Sequence, residues 1–85
     1  MNLYFQNSQG KLRLIAQPTS DKEVNATIKQ FLDDHNYKSY YTRTWYEPEI
    51  NRFVIDVGSY TEFFQCEVSK TEMDTLPDSM KKLMK

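Results

Sequence analysis

Arg52-Phe53-Val54-Ile55-Asp56-Val57 alternates residue by residue, with Phe53, Ile55 and Val57 on one side and Arg52, Val54 and Asp56 on the other. That period of two belongs to a half-buried β-strand, and it decides the fold class, because a strand with one apolar side needs neighbours and a covering layer. Downstream, Gly58-Ser59 permits a tight reversal, and Thr61 to Val68 reads as the next strand with Phe64, Cys66 and Val68 inward. Upstream, Glu47-Pro48-Glu49-Ile50-Asn51 makes a turn. Before it, Lys38 to Tyr46 is β-branched or aromatic almost throughout and carries rings on both faces. These three strands are expected to form an antiparallel meander.

Ahead of the meander the period changes. Ser20 and Glu23 form a capping box, and Val24, Ile28, Phe31 and Leu32 follow at helical spacing, while Lys22, Asn25, Lys29 and Asp33 face water. Asn36 suits the left-handed conformation that stops a helix. Before this helix, Lys11 to Gln17 alternates as a strand, with Leu12, Leu14 and Ala16 on one side and Lys11, Arg13 and Ile15 on the other, and Pro18 ends it. After Ser69 the chain turns helical again. Thr71 and Asp74 offer a cap pair, Met73, Leu76, Met80, Leu83 and Met84 fall at helical spacing, and Pro77 divides the segment.

The expectation is a small two-layer α+β domain with a mostly antiparallel sheet and two helices, in the order β-α-β-β-β-α. The sheet has four strands, or five if Leu3 to Gln6 adds one before the turn-like Asn7-Ser8-Gln9-Gly10. Asn2 to Gln6 also resembles the recognition site of the potyviral protease used to remove purification tags, with Met1 and Asn7 in place of the usual Glu and Gly or Ser. Residues 1–8 are thus a tag relic or an N-terminal edge strand, and residues 9–85 are one domain.

Eighty-five residues hold one core and leave no cleft between domains. A chain this short is marginally stable unless a disulfide, a metal or self-association helps. The single cysteine, Cys66, forms no internal bridge and fits a reducing, cytoplasmic setting. No apolar run is long enough for a membrane span. Eleven basic and twelve acidic residues give a net charge of −1, without the excess of positive charge that phosphate binders rely on.

Candidate chemistry is sparse. His35, in Asp33-Asp34-His35-Asn36, is the only histidine, so it reads as a helix C-terminal residue rather than part of a zinc set, which needs three or four convergent ligands. Cys66, between Phe64 and Val68, reads as a core thiol rather than a nucleophile. Glu47 and Glu49 flank Pro48 as solvated turn residues, and with only Gly10 and Gly58 there is no glycine-rich phosphate cradle. A small-molecule site is disfavoured because the core leaves little room for a pocket of roughly 300 Å³. No enzyme activity, cofactor or metal is expected.

Two binding readings remain. In the first, the sheet face away from the helices carries Ile15, Val54, Phe63 and an aromatic set from the 38–46 strand, and serves a protein-interaction or regulatory module that forms a homodimer or takes another protein. In the second, Tyr40, Arg43, Tyr46 and Arg52 form a weak platform for single-stranded nucleic acid. From the first helix on, the element order is similar to that of double-stranded-RNA-binding domains, which would imply an RNA partner. That family's Gly-Pro-x-His loop is missing, and Glu72 and Asp74 stand where its last helix begins with basic residues.

Overall fold

The computed structural model describes residues 1–36, 43–59 and 61–84. Five strands, β1 (Asn2–Gln6), β2 (Leu12–Ala16), β3 (Arg43–Glu47), β4 (Arg52–Asp56) and β5 (Phe63–Glu67), form one sheet in the order β2-β1-β5-β4-β3. Every neighbouring pair is antiparallel. The helix α1 (Asp21–Asp34) joins β2 to β3, and α2 (Lys70–Met73), α3 (Asp78–Lys81) and a 3₁₀ turn (Lys82–Met84) follow β5. This is the expected α+β domain with its meander β3-β4-β5, and the fifth strand is present.

That fifth strand is not at an edge. β1 lies between β2 and β5, pairing Leu3 with Cys66 and Phe5 with Phe64, and Leu3 is fully buried. The N-terminal strand is thus a correction to the expected edge position. Alternation along a strand says which side chains share a face, but not which strand lies alongside.

The turn before β2 closes as its residues dictate. The Asn7 side chain accepts from the Gln9 and Lys11 amides at 2.9 and 3.0 Å, and Gly10 takes a positive φ of 80°. Ser20 caps α1 by accepting from the Glu23 amide at 3.2 Å. The Glu23 carboxylate reaches past Ser20 to the Thr19 amide at 2.7 Å and hydroxyl at 3.0 Å. These bonds, led by the one from the Thr19 amide, hold its pKa below the ordinary 4.5. Asn36 ends the helix region at φ 58°, as expected. In the C-terminal segment the cap pair is Ser69 with Glu72, a full capping box, rather than Thr71 with Asp74. Pro77 separates α2 from α3, as its missing amide hydrogen requires.

The core lies on one side of the sheet. Val24, Ile28, Phe31 and Leu32 of α1, with Leu76 and Met80 from the C-terminal segment, cover Leu3, Phe53, Ile55, Phe64 and Cys66. Phe31 meets Phe5 at 4.7 Å and Phe64 at 5.5 Å between ring centroids. Burial of this apolar area is the main stabilising term, roughly 25 cal/mol per Å² removed from water.

Candidate functional site on the helix-free sheet face

Register fixes what the other side of the sheet carries. Because Leu3, Phe53, Ile55, Phe64 and Cys66 point to the helices, their strand neighbours point away. β1 contributes Tyr4 and Gln6, β5 contributes Phe63, Gln65 and Glu67, and β4 contributes Arg52, Val54 and Asp56. β3 adds Arg43, Trp45 and Glu47, and β2 adds Leu12 and Leu14.

Side chains on this face cover one another. Arg52 lies over the Tyr4 ring with 4.9 Å from guanidinium carbon to centroid, donates to Gln65 Oε1 at 3.0 Å and pairs with Glu67 at 3.4 Å. Asn2 donates to Glu67 at 3.0 Å, and Gln65 donates to Gln6 at 2.8 Å. On the β3 side Arg43 lies 5.2 Å over the Trp45 ring and reaches Asp56 at 3.3 Å. Trp45 donates from Nε1 to Glu47 Oε1 at 2.7 Å, and its ring meets Phe63 edge-on at 6.5 Å. Asp56 also accepts from the Gly58 amide at 2.8 Å, at a glycine whose φ of 87° favours the absence of a side chain. The Asn2 amide, then Arg52, holds the Glu67 carboxyl below its ordinary 4.5.

Four residues expected at a binding surface require correction. Ile15 is on the helix side, against the core and beside Ala26 and Phe31. Arg13 pairs with the helix-facing Phe5, so period-two alternation carries Ile15 to the helix side with it, and the register slip between Leu3↔Ala16 and Tyr4↔Leu14 then turns Ala16 to that side as well. Tyr46 also faces the helices, opposite Phe53 with 5.1 Å between rings, so it is parted from Arg43 and Arg52. Val54 is on the helix-free face as expected but is only 8% exposed. Phe63 shares that face without standing beside Val54, because Val54 pairs with Gln65 and Phe63 with Asp56. Tyr40 lies outside the described residues.

The expected apolar patch is therefore a different surface. At one side stand Leu12 and Leu14, the latter 49% exposed, and across the middle run rings, guanidinium groups and carboxylates. Tyr4, Trp45, Leu12 and Leu14 were missed as surface residues. Their own alternation carried the signal, once the partner strands were known.

Elsewhere the chemistry is that of a core. Cys66 is fully buried, and burial pushes its thiol up to about 11, so it stays protonated at neutral pH. The His35 ring stacks on Phe31 at 4.1 Å and its Nδ1 lies 2.9 Å from the Phe31 carbonyl. Among the described residues, no three His, Cys, Asp or Glu side chains converge as metal ligands, and no helix is long and apolar enough to cross a membrane. A cavity of about 250 Å³ between α1, the sheet and α3 is lined by Asp21, Val24, Asn25, Phe53, Cys66 and Met80. The chain matches no protein-family model, no curated protein and no solved structure.

Proposed function

We propose that the protein is a non-enzymatic interaction or regulatory module that self-associates and receives protein partners on the helix-free sheet face. The observation that carries this reading is the composition of that face: Tyr4, Trp45 and Phe63, with Arg52 and Arg43 laid over two of the rings. Arg, Tyr and Trp are the residues enriched at protein-binding hot spots, and Leu12 and Leu14 add exposed apolar area beside them. The domain is small enough for association to add materially to its stability.

Charge favours a protein over a nucleic acid. The face carries Arg43 and Arg52 against Glu47, Asp56 and Glu67, and each arginine is already paired with a carboxylate. Counterion release from phosphates rewards an excess of cations, and among the described residues of this face two arginines stand against three carboxylates. Light scattering at low and high salt, alongside anisotropy of a labelled single-stranded oligonucleotide, tests the reading. The expected result is an association that survives high salt, with no oligonucleotide binding. A monomer that binds the oligonucleotide with steep salt dependence would overturn it.

A further inference from the structure

The sheet has two edges, and their sequences treat a passing strand differently. At one edge, β2 carries the extra residue Ile15, and the stretch 11–17 holds Lys11 and Arg13 with no carboxylate. A bulge and unpaired like charges are the usual guards against edge-to-edge pairing. At the other edge β3 is regular through all five residues against β4, and its charges are opposite at its two ends: Arg43-Thr44-Trp45-Tyr46-Glu47.

We infer that β3 pairs antiparallel with β3 of a second copy, about a two-fold axis at Trp45. The inference rests on the self-association proposed above and assigns it a contact. In this register Arg43 stands opposite Glu47 of the partner subunit, Thr44 opposite Tyr46 of the partner subunit, and Trp45 opposite Trp45 of the partner subunit. Opposed residues are an even number of positions apart, so side-chain faces match, with the helix-free face of one copy continuing that of the other. The two-fold axis makes the Arg–Glu pair twice, and cross-strand pairs of opposite charge stabilise while like charges do not.

Both groups have capacity for a second partner. Arg43 is 67% exposed while it touches Asp56, and Glu47 engages Trp45 through Oε1, leaving Oε2 as an acceptor. The product is one continuous sheet of twice five strands, with its two guarded β2 edges outermost.

Charge reversal tests this at low ionic strength, where repulsion is least screened. Arg43→Glu makes both facing positions acidic, and Glu47→Arg makes both basic. Each variant alone is expected to dimerise at least about tenfold more weakly by light scattering. Mixed one to one, they are expected to regain the dimer, because an acidic edge then faces a basic one. Single variants that dimerise like the wild type, or a mixture that stays monomeric, would overturn the β3 contact. A wild type that is monomeric throughout would overturn self-association itself. Hydrogen exchange on the unmodified chain decides the matter even if a variant folds poorly. The β3 amides should slow with rising protein concentration, and slowing at β2 instead would overturn the assignment.

Discussion

Phe64 and Gln65 are consecutive in β5 and both are buried, yet they are buried by opposite means. Phe64 turns toward α1 and meets Phe5 at 5.3 Å and Phe31 at 5.5 Å. Gln65 turns away from the helices and is enclosed by side chains of its own sheet, accepting from Arg52 and donating to Gln6. On the first face a separate layer removes apolar area from water. On the second, long polar and aromatic side chains lie down across the strands, and the buried Gln65 amide is satisfied on both sides by Arg52 and Gln6, while Arg52 Nε is left without a partner. The difference teaches that a sheet without a second layer need not leave its centre wet. It also makes the two faces answer differently to substitution.

Removing β1 should break that contrast most severely, because Leu3 and Phe5 belong to one face while Tyr4 and Gln6 belong to the other. Deletion of residues 1–8 is expected to abolish the cooperative thermal transition seen by circular dichroism. A truncated chain with unchanged Tm would show that residues 1–8 are dispensable, as a tag relic would be.

Truncating neighbouring rings separates the faces more finely. Phe64→Ala should cost about 3–5 kcal/mol in urea unfolding, the range for a large aromatic removed from a core. Phe63→Ala, on a partly exposed ring, should cost about 1 kcal/mol, a Tm shift of roughly 4–8 °C. Equal losses would mean that the two faces contribute alike and that the contrast is only geometric.

The smallest expected effect is electrostatic. Glu67 has its carboxyl held below the ordinary 4.5 by the Asn2 amide and then by Arg52, so it titrates lower folded than unfolded. The stability this gives is complete above the ordinary value and is lost as pH falls through the lower, folded one. Glu67→Gln should therefore lower Tm slightly at about pH 7 and narrow the gap to the wild type at about pH 3. The same Tm difference at both pH values would remove Glu67 from the account.

Much of the helix side was legible in the sequence. The stripe Val24, Ile28, Phe31, Leu32 and the alternating sets Phe53, Ile55, Val57 and Phe64, Cys66, Val68 are periodic, and every one of these residues is buried in the same cluster. What escaped depends on distant partners. Nothing local says that β1 inserts between β2 and β5, which side of β2 faces the helices, or that Gln6, Gln65 and Arg52 meet across three strands. Exposure was misjudged for the same reason. Val54 points away from the helices as alternation requires, but it is covered because Trp45 and Gln65 happen to be its cross-strand neighbours.

The β1–β5 junction also bears on how the chain reaches this state. Gln6 and Gln65, joined at 2.8 Å, are 59 positions apart in sequence. Loop closure over such a span has to precede the contacts that reward it, which slows folding relative to a domain of local contacts. During synthesis β1 and β2 therefore emerge before β5, and one side of β1 waits unpaired until β5 has left the ribosome. Collapse of α1 onto Leu3 and Phe5 is the event available to shelter β1 in the interval.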